Sequence, residues 1–308
     1  MRPILFEIPG LGYPVHAFSV LLVLGAAAGV YLTAWRAKRV GINPDVVYEL
    51  AVWVLGGGFV GARIYYLVQH PDSVHSPLDV FKVWQGGIVF YGCIMGGLVG
   101  TWIYHRRHPF PFWPMADAVA PALAIGVLLG RVGCFLNGCC FGAVCDPHAF
   151  YAVSFPAESL PWLRHVDAGW IGPDAPHSLP IHPKQLYGAF SGLVLLVATG
   201  LFYPFRRRDG EVMALVMIGY PVTRFLMEFA RGDATGWHLG LTVSQYISLG
   251  LFAAGLVAWR SLPACPGGLY ADRQATRAQA QVREQDGSPH RPMGGAPGRR
   301  SDRSSVLR

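Results

Sequence analysis

The sequence predicts an all-α, polytopic membrane protein with seven transmembrane helices, its N-terminus outside and its C-terminus inside. Three observations predict it. Hydrophobic residues fill 52% of the 308 positions and charged residues only 14%, well below the roughly 25% charged share of a soluble domain. Apolar runs of the length a bilayer core demands, about 20 residues per helix, recur seven times. Basic residues collect in alternate connections between those runs.

The first run, 16–35, is read as a retained span. The stretch LGAAAG resembles a small-residue cleavage site, but the apolar run continues past it to Trp35. Arg36, Lys38 and Arg39 follow it. The second run, 46–68, leads to a connection with only Lys82, whereas the third, 86–104, is followed by Arg106 and Arg107. The fourth, 115–135, opens into a long outer loop, 136–182, with Pro, Trp and Gly but no spanning segment. The fifth, 184–204, precedes Arg206, Arg207 and Arg208; the sixth, 211–230, precedes Arg231; the seventh is 241–259. The positive-inside rule then sets the orientation. Residues 1–265 form the membrane domain. Residues 266–308 are polar, basic and rich in Gly, Pro and Ser, which predicts a disordered cytoplasmic tail. The formal charge of +7 lies between apolar runs and on no periodic face, which marks topology and not a nucleic-acid surface.

Ionisable residues inside spans cost about 2.5 to 3.5 kcal/mol each at a helix centre, so their positions carry information. Arg63, Arg131, Arg224 and Glu228 interrupt apolar runs, and the topology puts all four toward the outer side. Snorkelling to headgroups accounts for one arginine near a helix end. It does not account for a glutamate beside them. Arg224 and Glu228 are four apart and pair on one helix face, which leaves Arg63 and Arg131 with net positive charge. Guanidinium groups bind phosphate bidentately, and at that depth the abundant phosphate belongs to lipids. Glycines in GGGFVGAR (56–63), YGCIMGG (91–97) and GRVG (130–133) form small-residue faces for close helix packing. His182, Gln185 and Tyr187 stand at the entrance of the fifth span, and Gln245 at that of the seventh; each alone reads as an interfacial anchor.

The six cysteines are Cys93, Cys134, Cys139, Cys140, Cys145 and Cys265. The C-x4-C-C-x4-C spacing matches no common zinc arrangement, so neither a metal nor a cofactor is expected. On an oxidising face a structural disulfide from Cys139 or Cys140 to Cys145 is expected instead. A rival reading follows from the same cluster, a membrane thiol oxidoreductase. It explains the cysteines but not the four buried charges.

GRVGCFLNGCCFG (130–142) resembles the signature of the prolipoprotein diacylglyceryl transferases, Gly-Arg-x-Gly-Asn-Phe-x-Asn-Gly-Glu-x-x-Gly. The resemblance extends through GARIYY (61–66), GGIVFYGCIMGG (86–97), HPKQLY (182–187), DGEVMAL (209–215), RFLMEFARGD (224–233) and LTVSQ (241–245). It implies a bacterial inner-membrane enzyme whose site faces the periplasm. The implied reaction moves a diacylglyceryl group from phosphatidylglycerol to the lipobox cysteine of a prolipoprotein, which is anchored by its signal peptide, and releases glycerol phosphate. It also implies that Arg131 binds the lipid phosphate, that Asn137 shapes the site, that Arg224 and Glu228 flank the reaction centre, and that Arg63 and Arg231 are further anion contacts. By the same resemblance His182, Gln185 and Tyr187 join the substrate-binding residues. Arginines suit this chemistry because charge develops on the departing phosphate.

The chain departs from the family's pattern at four places. Tyr91 stands where many members have a histidine, Phe18 where the first span has a tyrosine, Cys134 for the signature asparagine and Cys139 for its glutamate. The proton acceptor is accordingly open among Tyr91, His16 and His182. A non-enzymatic lipid-binding protein on the same scaffold stays open as a third reading.

Overall fold

A computed structural model describes residues 4–8, 13–71, 87, 89–230, 237–238, 240–262 and 269–285. A short antiparallel hairpin, β1 (Ile4–Ile8) with β2 (Tyr13–His16), leads into α1 (Ala17–Arg39). There follow α2 (Pro44–Gln69), α3 (Phe90–Arg107), α4 (Phe112–Asn137), the short α5 (Leu160–Asp167), α6 (Lys184–Phe202), α7 (Glu211–Glu228), α8 (Val243–Ser261) and α9 (Tyr270–Gln285). A two-residue pair, β3 (Trp237–His238) with β4 (Leu241–Thr242), precedes α8.

Each of the seven expected apolar runs coincides with a long helix to within a few residues. Four of them are long and apolar enough to cross a membrane: α1, α2, α4 and α6 extended by its terminal 3-10 turn to Phe205. The other three are more polar. α3 ends in His105, Arg106 and Arg107, α7 carries Glu211, Arg224 and Glu228, and α8 buries Gln245 and Ser248.

Glycines decide which helices touch, and at what distance. A Cβ on Gly57 would lie 2.6 Å from the Gly96 carbonyl oxygen, while Cβ atoms on Gly61 and Gly100 would collide with the carbonyl oxygens of Gly92 and Trp53. Gly57 and Gly61 on α2 thus face Gly92, Gly96 and Gly100 on α3 in antiparallel order, with backbones in contact. The same antiparallel order holds elsewhere. Gly133 of α4 meets Phe18 of α1, Gly188 and Gly192 of α6 meet Arg131 and Leu128 of α4, and Gly255 of α8 meets Met217 of α7. Consequently the start of α1 and the ends of α2, α4 and α7 share one end of the bundle with the starts of α6 and α8.

The opposite end holds the main apolar core, built from Ala34, Ala37, Val47, Leu50, Tyr104 and Met115 among others. Basic residues ring it. Arg39 stacks over Trp35 at 3.6 Å, Arg206 over the Tyr203 ring at 3.8 Å and Arg36 over the same ring at 4.5 Å. Here Asp117 of α4 caps α7 from another helix. Its carboxylate accepts the backbone N–H groups of Gly210 (2.8 Å), Val212 (2.9 Å) and Met213 (3.0 Å), three donors that a helix start leaves without partners. Gly210, at φ 101°, supplies the left-handed backbone that this entry into α7 requires.

One expectation changes. Of the segment expected as a disordered tail, Tyr270–Gln285 form the helix α9; residues 266–268 and 286–308 lie outside the described residues. The physical reason is long-range. Buried Asp209 accepts the Tyr270 N–H at 3.0 Å and the Arg273 guanidinium at 3.1 Å, and Tyr270 packs on the core. The outer loop, in turn, has its own small core of Phe155, Trp162, His165 and Ile181, tied by bridges of Val144 and Val153 to Ile181 and of Pro156 to His177.

Candidate active site

The signature segment ends α4. Gly138 takes φ 74°, its N–H returning to the Phe135 carbonyl while the Cys139 N–H returns to Cys134, a left-handed helix stop that glycine makes without steric cost. Arg131 lies two turns before this stop, its side chain laid against Gly188 of α6: a Cβ there would sit 2.9 Å from both Cγ and Cδ of Arg131. The absence of a side chain at 188 is what gives the arginine its channel. Phe18, at the position of the family's tyrosine, packs on Gly133 in the same segment.

One turn before Gly188, Lys184 brings its ammonium to 3.7 Å from the Glu228 carboxylate. Glu228 is 2% exposed and also forms an ion pair with Arg224, four residues earlier on α7. Arg224 reaches α8 as well, donating to Ser244 Oγ at 2.8 Å. Three helices therefore meet in one polar cluster. Two cations, Lys184 and Arg224, share the Glu228 carboxylate, and Arg131 lies against the next turn of α6.

Gln185, fully buried, donates its amide to the Cys139 carbonyl at 2.8 Å, fixing the start of α6 to the turn after α4. Asn137 reaches the Cys139 thiol. His182 stacks on Tyr151 at 5.2 Å and its Nδ1 lies 3.4 Å from the Tyr187 hydroxyl, while its backbone N–H donates to Ala143. Gln245 is not a surface anchor: with Thr242 it forms the capping box of α8.

Arg63 sits on the α2–α3 side. Its guanidinium donates to the Gly87 carbonyl at 3.4 Å and lies 5.5 Å from the Tyr66 ring, and the Val89 N–H pins the entry of α3 to Ala62 at 3.3 Å. Tyr91, the second residue of α3, is 39% exposed. A groove of about 710 Å³ between α2 and α3 is apolar, lined by Val60, Gly61, Ile64, Gly92, Met95 and Gly96 among others, and does not hold the charged cluster. The end-to-end order of the helices puts Arg63 at the same end of the bundle as Arg131, Arg224 and Glu228. Arg231 lies outside the described residues.

Sequence reasoning missed Lys184 and Ser244. Lys184 stands inside HPKQLY, and an ionisable residue at the start of an apolar run is the cue. The cysteine expectation also changes. Among the described residues no disulfide joins Cys139 or Cys140 to Cys145. The stop at Gly138 folds Cys139 and Cys140 back toward Cys134, whereas Cys145 leaves with its N–H on the Pro180 carbonyl. Burial and the nearby Asp146 push the Cys145 thiol up.

Comparison with known proteins follows the same lines. The prolipoprotein diacylglyceryl transferase family matches residues 3–260. A phosphatidylglycerol–prolipoprotein diacylglyceryl transferase of Neisseria meningitidis serogroup A is 36% identical, over 83% of this chain and 94% of its own length. One from Neisseria gonorrhoeae is 35% identical with the same coverage, and one from Clostridium tetani is 29% identical over 83% of this chain and 96% of its own. The chain belongs to the prolipoprotein diacylglyceryl transferase family.

Proposed function

We propose that this protein transfers the diacylglyceryl group of phosphatidylglycerol to the lipobox cysteine of a prolipoprotein. The observation that carries the reading is the Lys184–Glu228–Arg224 cluster with Arg131 laid against Gly188, one turn along α6 from Lys184. Guanidinium groups at this end of the bundle suit an anionic phosphate headgroup, which they bind bidentately. In the reaction the lipobox thiol loses its proton, a sulfur–carbon bond forms at the glyceryl carbon, and the carbon–oxygen bond to phosphate breaks. Glycerol phosphate leaves with the electron pair. Arg131, with Arg224 held in place by Glu228 and Ser244, stabilises the charge growing on that phosphate. Asn137 and Gln185 hold the turn beside it, and His182 and Tyr187 border the approach.

The membrane arrangement belongs to the same proposal. All seven long helices cross the bilayer, the N-terminus is outside, and the cluster lies toward the periplasmic side of a bacterial inner membrane. The aromatic-stacked arginines at the other end support this orientation. Phosphatidylglycerol and the signal-peptide-anchored prolipoprotein then reach the site from within the membrane.

Complementation of a transferase-depleted bacterium tests the activity, and lipidation of a lipobox peptide by membranes tests the residues. Arg131→Ala abolishes transfer; normal lipidation by that variant removes the assignment. Ser at Cys134, Cys139, Cys140 and Cys145 together leaves substantial transfer, whereas a thiol oxidoreductase loses its activity. Tyr91→Phe, His16→Gln and His182→Gln, each followed across pH, identify the proton acceptor.

A further inference from the structure

Three thiols converge where the family signature turns. The Sγ atoms of Cys134, Cys139 and Cys140 all lie within 4.8 Å of one another, the first two half-buried and the third exposed. Two features of the backbone bring them together. The stop at Gly138 reverses the chain, and Cys140 holds φ 57°, a left-handed conformation rare for a residue with a side chain and costing about 1 to 3 kcal/mol. Sulfurs bound to zinc at about 2.3 Å stand about 3.8 Å apart in a tetrahedron. The observed limit of 4.8 Å exceeds that figure by about 1 Å.

We propose that Cys134, Cys139 and Cys140 form a binding site for a thiophilic d10 cation, with Zn²⁺ as its representative. The three thiols give up three protons to solvent, three metal–sulfur bonds form, and water takes the fourth position. The complex carries a charge of −1. The Asn137 amide stands beside the Cys139 sulfur. The bound ion ties the last turn of α4 to the turn whose carbonyl holds Gln185. Soft thiolate donors select this class of ion over Mg²⁺ or Ca²⁺. The spacing of five and then one residue escapes zinc patterns because the ligands straddle a helix terminus.

The test uses the full chain purified in detergent with a non-thiol reductant and needs no lipid or peptide, so its result is separate from that of the transfer reaction. Zinc is titrated against a chromophoric chelator, and cadmium is followed by its thiolate charge-transfer absorption. The expected result is one ion per chain, release of protons on binding, and protection of three thiols from alkylation. Cys134→Ser, Cys139→Ser and Cys140→Ser each weaken zinc at least about tenfold, and Cys93→Ser and Cys145→Ser leave it unchanged. Binding that is absent, or that is lost with Cys145 and kept without Cys134, overturns the site. So does a disulfide among the three that persists in the reductant.

Discussion

Lys184 and Glu228 face each other at 3.7 Å across the α6–α7 contact, both almost wholly buried, and they lock the start of one helix to the end of the next. Removing the carboxylate leaves Lys184 and Arg224 side by side. Glu228→Gln should lower the stability of the detergent-solubilised protein by about 3 kcal/mol, read as a fall in the thermal midpoint, and should reduce transfer with it. Combining Glu228→Gln with Lys184→Met should recover part of the loss, because the uncompensated ammonium disappears too.

Gly188 is the floor under Arg131. An added methyl would stand 2.9 Å from the arginine's aliphatic stem, and the side chain is able to swing away. Gly188→Ala is therefore expected to fold normally and to cut kcat/KM for lipidation about tenfold, a loss of about 1.4 kcal/mol of transition-state stabilisation. Gly126→Ala, with open space around its Cβ position, serves as the unaffected comparison.

The backbone contact of α2 with α3 has no slack. Gly96→Ala would drive its methyl into the Gly57 carbonyl, and the helices must separate. Overpacking of this kind costs about 1 to 3 kcal/mol; thermal unfolding of the variant should show it, and Gly56→Ala, which meets nothing within 4 Å, should not.

His165 sets a pH limit on the outer loop. It is 1% exposed, and its Nδ1 accepts the Leu179 N–H at 3.2 Å, so the ring is neutral in the fold, and burial lowers its pKa below the ordinary value. The unfolded loop binds a proton that the folded loop refuses. Stability is thus complete above about pH 6.5 and declines as pH falls below that, by up to about 1.4 kcal/mol per unit. Proteolysis of the 138–182 loop measured against pH should show the decline, and His165→Gln should flatten it.

Much of this was legible in the amino-acid order. The seven long helices follow from apolar runs, and the charges that must be there for a reason, Arg131, Arg224 and Glu228, stand out because apolar neighbours make them costly. What stayed hidden depends on distant partners. Asp117 is one carboxylate in an apolar stretch, and the Gly210 N–H it caps lies 93 residues away. Helix α9 has few apolar residues, and Asp209, in the turn before α7, gives it a mooring. The three thiols are brought together by left-handed Gly138 and Cys140, whose φ no spacing rule reveals.

The glycine-fused pair α2–α3 has a mechanical consequence. Its fastening to the bundle, through Val47, Leu50 and Tyr104, lies at the end remote from Arg63, so the pair is built like one jaw of a clothes-peg. A slight rocking at the clasp opens the widest gap at the tip. A two-tailed lipid is expected to enter there sideways, never leaving oil for water; a cross-link between α2–α3 and the neighbouring helix at that tip should slow its entry.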